Sequence, residues 1–265
     1  MCLEELSGHE SNVSGIALHK WANVKAARFI PGVALPLFHA ARLPNLRSLY
    51  LLAHWEENSD IISHLASWGD TLTSLEIRLG DIPFPLPSGS PNFPNLEHLH
   101  ADTLMLATLI LKNSERLESL ALSLDAEEPS DALQHITHFH TLARWRQLRT
   151  LHFVDCNFTN VNVLPPWSAL CSLKELEFSG CKEMPKVLKE LEQSFHEDCT
   201  RNGWAENPEL ISSKQTGSFP CLERLKMLVP AKGKAWLPEL IETHVRQLHT
   251  WRPLLIIQLQ FDSNA

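Results

Sequence analysis

The stretch LRTLHFVDC at residues 148–156 recurs as LKELEFSGC at residues 173–181, which begins 25 residues later. The two copies share Leu, Leu, Phe and Cys at their first, fourth, sixth and ninth places. A fixed phrase that returns at a fixed period indicates a repeat architecture. The fold of the whole chain therefore depends on how far this phrase extends in both directions.

Apolar and polar residues alternate within the phrase, as they do in a strand with one buried face. Successive side chains of a strand point to opposite faces, so the second Leu and the Phe point into the core. One such unit cannot bury its apolar face alone, and stacked units form a continuous core. The phrase resembles that of leucine-rich repeats. It predicts an α/β fold, a leucine-rich-repeat-like solenoid in the form of a horseshoe or arc, with a parallel sheet on the inner face and irregular helices on the outer face.

Related phrases occur along most of the chain. They begin at Leu46, Leu72, Leu96, Leu117, Leu148, Leu173 and Leu222, and a weaker one begins at Leu254. Successive starts are 26, 24, 21, 31, 25, 49 and 32 residues apart, and most of these spacings lie in or near the usual period. Several phrases follow a proline, which ends the preceding element before the next strand begins. Between the phrases the sequence predicts helices at 58–68, 103–112, 130–145, 185–199 and 238–250.

The pattern predicts a single repeat domain over residues 1–265. Residues 1–45 are expected to form an irregular N-terminal cap or partial repeats, and they include a strand-like run at 24–30. Residues 200–219 lie within the longest spacing and are expected to be a loop insertion. Residues 83–95 are rich in Pro and Ser, which favours a long connector. The alternative for that segment is a proline-motif ligand for an SH3-like domain.

Charge and composition exclude several classes of protein. The formal net charge is −8, which argues against a nucleic-acid binder, because contacts to phosphates require a basic face. The longest apolar run, near residues 104–111, is too short to span a bilayer, and the first residues lack the apolar core of a secretory signal. The 6 Cys form no C-x-x-C pair. We expect a cytoplasmic or nuclear protein with neither a nucleic-acid nor a membrane partner.

The sequence contains no catalytic constellation. It lacks the common phosphate-binding, zinc-protease and serine-hydrolase motifs. Neither the three His within 135–140 nor the pair His98 and His100 completes a metal-ligand set of recognised spacing. Cys156 and Cys181 are expected to fill a tight, buried position where the chain leaves each strand. The prediction is a non-enzymatic protein with no catalytic residue, no metal and no cofactor.

Alternate residues of each phrase, at its third, fifth and seventh places, are predicted to line the inner face of the arc. The candidate partner-binding residues on this face are Tyr50, Glu76, Arg78, His98, His100, Asp102, His152, Glu175, Glu177, Arg224 and Lys226. Their character changes along the chain from aromatic through His to acidic and then basic, which suits a protein or peptide of complementary charge. The alternative is a solvated face with no selected partner. Tyr50 is the strongest single anchor candidate, because aromatic residues dominate interface hot spots.

From Leu46 onward, the irregular periods, the F/LPxLxxLxL leads and the paired LxxLxFxxC units resemble the C-terminal region of fungal F-box proteins with leucine-rich repeats. The resemblance covers about four-fifths of the chain. It implies a substrate-recognition arm of an SCF-type ubiquitin ligase, in which the F-box binds the Skp adaptor and the repeats hold the substrate. No F-box pattern precedes Leu46, so a Skp adaptor and a cullin ligase are expected as partners only if residues 1–43 contain a diverged docking element. The alternative is a stand-alone repeat scaffold, or a diverged paralogue, without any ubiquitin-ligase linkage.

Overall fold

A computed structural model describes residues 25–29, 43–52, 65–78, 92–102, 116–123, 147–156, 158, 170, 172–201, 221–230, 237–251 and 254–262. The chain divides into two compact units, Met1–Leu120 and Ala121–Ala265. We refer to them as the N-terminal unit and the C-terminal unit. The single repeat domain expected over residues 1–265 stays a prediction.

Nine strands occur in the described part of the chain, and they belong to one parallel sheet whose order follows the chain. They are β1 (Ala26–Phe29), β2 (Ser48–Leu52), β3 (Ser74–Arg78), β4 (His98–Ala101), β5 (Ser119–Leu122), β6 (Thr150–Val154), β7 (Glu175–Ser179), β8 (Arg224–Pro230) and β9 (Ile256–Asp262). Every phrase found in the sequence forms a strand that begins at its third residue, and β1 precedes the first phrase. The α/β class and the parallel sheet are confirmed.

Two helices lie in the described part of the C-terminal unit. α1 spans Met184–Arg201 and α2 spans Leu237–Trp251, and the two helices pack against each other. They confirm the helices predicted at 185–199 and 238–250, each with slightly longer bounds. No helix among the described residues has both the length and the apolar character that a membrane crossing requires.

The boundaries of the remaining segments differ in detail from the prediction. α1 continues through Thr200 and Arg201, which the sequence assigned to the loop insertion. The helix predicted at 58–68 is described only near its end, where residues 65–66 are helical. Other predictions lie outside the described residues: the helices at 103–112 and 130–145, the connector from 83 to 91, most of the cap at 1–45 and the insertion from 202 to 219.

A proline turn leads into two strands of the N-terminal unit. The N–H of Leu46 donates to the carbonyl of Leu43 at 3.1 Å, and the N–H of Leu96 donates to the carbonyl of Phe93 at 3.2 Å. Proline is the second residue of both turns, where its fixed φ is favourable. The apolar residues at the two ends of each turn are fully buried. The turn therefore reverses the chain and anchors the start of the phrase in the core at the same time.

One backbone contact recurs between neighbouring phrases and sets their register. The carbonyl of Arg47, the second residue of its phrase, accepts the N–H groups of Thr73 at 2.8 Å and Ser74 at 3.0 Å. In the C-terminal unit the carbonyl of Arg149 accepts those of Lys174 at 2.8 Å and Glu175 at 3.0 Å. Four other backbone carbonyls each accept two N–H groups in the same way, those of Lys25, Thr73, Glu97 and Lys174. Because the contact joins equivalent places, residues at the same place of successive phrases become neighbours in the sheet.

Aromatic stacking reinforces this register in the core of the C-terminal unit. The rings of Phe153 and Phe178, at the sixth places of their phrases, stack with centroids 5.4 Å apart and planes 11° apart. Phe158 packs edge-on against both rings, at 5.5 Å and 6.0 Å. Stacked and edge-on aromatic pairs add to the free energy gained by burial alone.

The two cysteines at the ninth places are buried, as the sequence predicted. Each thiol also contacts the backbone of the preceding strand. The Cys181 Sγ donates to the carbonyl of Phe153 at 3.4 Å, and the Cys156 Sγ donates to the carbonyl of Leu122 at 3.3 Å. A thiol is a weak donor, but it supplies a partner to a carbonyl that is otherwise costly to bury. The cysteines thus bond one phrase to the next where the strands end.

The residue before each of these cysteines has a left-handed backbone. Asp155 has φ 53° and Gly180 has φ 66°. Asp tolerates this conformation better than most residues, and Gly adopts it without a Cβ penalty. A Cβ built on Gly180 would overlap with the Oδ1 of Asp155. The two phrases therefore approach each other closely at this place, and both the positive φ and the nearby Asp155 side chain favour glycine at position 180.

The last strand is entered differently from the others. Its phrase predicted Leu254 as the first buried Leu, but Leu254 is 75 % exposed and Leu255 is buried instead. The chain reaches β9 shortly after α2 ends, and Leu254 lies in a turn immediately before the strand. In this turn Leu254 projects into solvent, and Leu255 makes the first apolar contact instead.

We expect Gly180→Ala to lower the free energy of unfolding by more than the roughly 1–2 kcal/mol that a left-handed backbone costs a residue with a Cβ. The excess reflects the overlap with Asp155 and is measured by urea unfolding. The double variant Gly180→Ala, Asp155→Gly should recover that excess, because it removes the side chain that the new Cβ meets. An equal loss in both variants would show that the close approach of the two residues has no energetic effect.

Candidate interaction surface

Burial alternates along the strands. In β2, β3, β6 and β7 the second and fourth residues are buried, and the first, third and fifth are partly exposed. We call the side with the partly exposed residues the polar face. All the predicted partner-binding residues lie on this face or directly at its edge: Tyr50, Glu76, Arg78, His98, His100, Asp102, His152, Glu175, Glu177, Arg224 and Lys226. Their position on the inner face of an arc and their role in binding a partner both stay predictions.

Four residues form an in-register row on the polar face of the N-terminal unit. Arg28 pairs in register with Tyr50, Tyr50 with Glu76, and Glu76 with His100. We call these four residues the N-terminal row. The Arg28 Cζ lies 4.4 Å from the centroid of the Tyr50 ring, which is a cation–π contact. Tyr50 is therefore covered on one side by a guanidinium group.

Glu76 forms polar contacts with two side chains of the same unit. Its Oε1 lies 3.0 Å from the Arg78 Nη2 and 3.3 Å from the His100 Nδ1. These side chains are all partly exposed. The contacts hold the carboxylate between two neighbouring strands, so Glu76 is already engaged within the chain.

Arg28 was not among the residues predicted from the sequence, although a signal for it exists. The run at 24–30 was identified as strand-like but was not aligned with the phrase. With Val24 as the first residue, Ala27 and Phe29 occupy the fourth and sixth places that Leu and Phe occupy elsewhere. Arg28 then occupies the fifth place, as Tyr50 does in the next phrase. The small Ala27 in place of Leu concealed this alignment.

A cluster of charged residues lies on the polar face of the C-terminal unit. It comprises His152 on β6, Glu175, Glu177 and Ser179 on β7, and Arg224 and Lys226 on β8. We call it the C-terminal cluster. Glu175 pairs in register with Arg224, and Glu177 pairs in register with Lys226.

Glu175 is the most buried charge of the C-terminal cluster, with 13 % of its side chain exposed. Its Oε2 accepts hydrogen bonds from the Arg224 Nη2 at 2.7 Å and Nε at 3.0 Å, and its Oε1 pairs with the Lys226 ammonium. Lys226 also lies 3.8 Å from the Oε2 of Glu177. The acidic and basic residues that the sequence presents as separate patches therefore offset each other's charge. They occupy the same places in successive phrases, which is the signal that predicts their pairing.

Glu177 joins the cluster to His152 through a serine. The His152 Nε2 lies 3.0 Å from the Ser179 Oγ, which donates to the Glu177 Oε1 at 3.4 Å. Because the hydroxyl proton is directed to the carboxylate, this pattern assigns the donor role toward serine to the imidazole N–H. The arrangement orients the Glu177 carboxylate through the serine hydroxyl.

The environment of His152 disfavours its charged form. Burial lowers the pKa of His152 below its ordinary value of 6.5. The negative charges of Glu177, Asp155 and Glu175 oppose this shift, and the positive charge of Lys226 adds to it. The imidazole is therefore mainly neutral at pH 7. The stability that depends on the neutral form is present above the unfolded-state pKa and is lost as pH falls toward the folded-state value.

The pKa of Glu175 is lowered, although burial alone would raise it. Burial by itself raises the pKa of Glu175, but the hydrogen bonds and charges of Lys226 and Arg224 outweigh it, so the pKa lies below the ordinary 4.5. The ionised carboxylate is therefore stabilised by folding. This contribution is present above the unfolded-state pKa and is lost as pH falls through the lower folded-state pKa.

Among the described residues, no three His, Cys, Asp or Glu side chains are grouped as metal ligands. His98 and His100 are two places apart on β4, and the His100 Nδ1 is directed to Glu76. The three His within 135–140 lie outside the described residues. The chemistry shown by the polar face is hydrogen bonding, ion pairing and aromatic contact.

We expect His152 to titrate below 6.5 in a pH series of NMR spectra, with the signal assigned by its loss in His152→Gln, because the chain has 14 His. Lys226→Gln should raise the pKa of His152, because it removes a positive charge. Glu177→Gln should lower it further, because it removes a negative charge. Shifts of the same sign in both variants would contradict the proposed electrostatic balance.

We expect Glu175→Gln to reduce the free energy of unfolding at neutral pH by about 1 kcal/mol or less, because the partners Arg224 and Lys226 are partly exposed and solvent screens their charges. Urea unfolding from neutral pH to about pH 3 should show a smaller acid-induced loss in the variant than in the wild type. Glu190→Gln on the exposed side of α1 is the control. An identical pH profile for Glu175→Gln and the wild type would contradict the depressed pKa.

Comparison with known proteins identifies no relative of this chain. No protein-family model, no curated protein and no solved structure matches the chain. The function must therefore be argued from the sheet, the N-terminal row and the C-terminal cluster.

Proposed function

We propose that the protein is a non-enzymatic recognition module, a leucine-rich-repeat-like solenoid whose polar face binds another protein. The observation that carries the proposal is the repeated geometry. Successive phrases present side chains from the same places in register, and these side chains are half-exposed and varied in chemistry. Within each unit, neighbouring parallel strands with such a face offer a contact surface, and repeat proteins use surfaces of this kind for binding.

The N-terminal row supplies the anchor of this surface. Arg28 is exposed and is held against Tyr50, and in the described part of the chain it forms no ion pair with an acidic side chain. A guanidinium group stacked on an aromatic ring is ordered before binding and keeps its N–H groups available to a carboxylate. Arg and Tyr are also enriched among the residues that contribute most to interfaces. The partner that fits this row presents a carboxylate to Arg28 beside an apolar group on Tyr50.

The C-terminal cluster has a different role in the same proposal. Its four charges pair within the chain, so a partner gains little by adding a further charge there. A partner that covers the cluster without matching its polar groups would have to desolvate them at a cost. The cluster therefore discriminates between partners, and the N-terminal row provides most of the affinity.

The biological setting of the proposal follows from the sequence resemblance. A substrate-recognition arm like that of an F-box ubiquitin-ligase receptor, in the cytoplasm or the nucleus, uses such a face to hold its substrate. A stand-alone scaffold without a Skp adaptor or a cullin would use the same face in the same way. The repeated geometry supports both forms equally, and the partners that purify with the chain distinguish them.

Affinity purification of the tagged chain from its native cells, with mass spectrometry of the bound proteins, tests the proposal. The variant Arg28→Ala, Tyr50→Ala should recover at least tenfold less of the partner than the wild type, because it removes the anchor of the face. The variant Glu177→Gln, Lys226→Gln should discriminate less between partners, so that additional proteins are recovered with it. The control variant Lys189→Ala, Glu190→Ala changes two exposed residues of α1 and should behave as the wild type.

A partner retained by all three variants would overturn binding through the polar face. A Skp adaptor and a cullin recovered together with a protein that depends on the face would support the ligase form. A face-dependent protein recovered without them would support the scaffold. Circular dichroism of each variant verifies that a lost partner reflects the changed surface and not an unfolded chain.

A further inference from the structure

A second row of side chains runs beside the N-terminal row in the same unit. The recurrent backbone contact makes neighbours of the second residues of five successive phrases, and each of these residues immediately precedes a strand: Lys25, Arg47, Thr73, Glu97 and Glu118. Lys25, Arg47 and Glu97 are exposed, and Thr73 and Glu118 are partly exposed. We call these five residues the edge row.

The edge row is sorted by charge. Its first two residues are cations and its last two are carboxylates, with Thr73 between them. Arg47 and Glu97 are two strand spacings apart, roughly 10 Å. Among the described residues, no acidic side chain pairs with Lys25 or Arg47, and no basic side chain pairs with Glu97. These three charges are therefore open to a ligand.

The C-terminal unit shows a different arrangement at the same place of the phrase. Lys174 and Glu223 are the second residues of successive phrases, and the Lys174 Nζ lies 3.1 Å from the Glu223 Oε1. Opposite charges on adjacent phrases thus neutralise each other. In the edge row Lys25 and Arg47 are adjacent and have the same sign, which is unfavourable until an opposite charge binds.

The N-terminal row has the same order of charge. Arg28, Tyr50 and Glu76 follow one another on successive strands as a cation, a neutral residue and a carboxylate. The Oε1 of Glu76 contacts Arg78 and His100, whereas no described residue forms a hydrogen bond or ion pair with its Oε2. Each row therefore places an open cation and an open carboxylate oxygen two strands apart, in the same direction across the sheet.

We propose that the two rows bind an α-helix of the partner protein, which crosses β1 to β4. The helix presents an Asp or Glu to the cations of the two rows, an aliphatic residue to Tyr50, and a Lys or Arg to the carboxylates Glu76 and Glu97. This inference rests on the proposed function and names the chemistry of its partner.

The spacing of the charges favours a helix over an extended segment. The cation and the carboxylate of each row are roughly 10 Å apart, because they are separated by two strand spacings. On one face of a helix, residues i and i+7 are also roughly 10 Å apart, and residue i+4 lies between them. In an extended segment, residues on one face are about 7 Å or about 14 Å apart, and neither distance matches.

The net charge of the chain favours a segment that carries both signs. The formal net charge of −8 repels a purely acidic segment at long range. A purely basic segment would meet Lys25, Arg28 and Arg47 at contact distance. A helix with an acidic and a basic residue two turns apart avoids both costs and matches both ends of the rows.

Two synthetic peptides of identical composition test the helix. Both are Ala-rich and about 20 residues long, which suffices for helix formation in water, with Glu at position i and Leu at i+4. The first peptide has Lys at i+7, on the same face, and its isomer has Lys at i+9, on the opposite face. NMR titration of the isotope-labelled chain at low salt measures the Kd of each. The first peptide should bind roughly tenfold more tightly, and added salt should weaken its binding.

A charge exchange in the chain tests the edge row directly. The variant Arg47→Glu, Glu97→Lys keeps the net charge but removes the sorting by sign, so it should bind the first peptide roughly tenfold more weakly than the wild type. The control variant Lys174→Glu, Glu223→Lys exchanges the charges of an ion pair at the same place of the phrase and should bind this peptide as the wild type does. Circular dichroism of each variant verifies folding.

Three results would each overturn the helix as the ligand of the two rows. They are equal binding of the two peptides, an unaffected Arg47→Glu, Glu97→Lys variant, and no binding of the first peptide up to its solubility limit. A native partner that still depends on Arg28 and Tyr50 would then leave the proposed function in place, and only the helix would be wrong.

Discussion

The structure depends on a backbone carbonyl at the second place of the phrase, which has this role at Lys25, Arg47, Thr73, Glu97, Arg149 and Lys174. By accepting two N–H groups from the next phrase, it fixes the position of that phrase before any side chain is considered. A one-residue slip would move every buried Leu to the polar face, so this contact and the apolar pattern enforce the same register. The stacked Phe153 and Phe178 and the thiol of Cys181 occupy places that this register brings together. The ion pairs on the opposite face result from the same constraint.

The register also explains why the two parts of the polar face differ chemically. Glu175 and Arg224 are 49 residues apart in sequence but face each other directly, so their charges are satisfied within the chain. Arg28 faces Tyr50, and an aromatic ring orders a cation without neutralising it. A buried or paired charge mainly opposes wrong partners, whereas an ordered and unneutralised one attracts the right partner. Charge content alone would have predicted that the C-terminal cluster, and not the N-terminal row, contributes most of the affinity for a partner.

The sequence was sufficient to predict the strands, because alternation and the phrase specify the same residues. Leu151 and Phe153 are buried, and His152 between them is not, as their places in the phrase require. It was insufficient for Arg28, because Ala27 weakens the apolar pattern on which the alignment depends. It also missed the exchange of Leu254 and Leu255, because both residues are Leu and only the path of the chain after α2 distinguishes them. The pairing of Glu175 with Arg224 required knowing that the longest spacing adds no extra strand between β7 and β8.

The thiols of Cys156 and Cys181 connect chemical reactivity to the integrity of the sheet. Each is buried and directed to a carbonyl of the preceding strand, so an oxidant or alkylating reagent reaches it only when neighbouring phrases separate. Cys221, which is partly exposed, has no such requirement. Local opening in proteins spans a wide range of free energies below that of global unfolding. Among the cysteines whose surroundings the structure describes, Cys156 and Cys181 thus report strand separation and Cys221 reports solvent access. Their relative rates of modification distinguish local opening from complete unfolding.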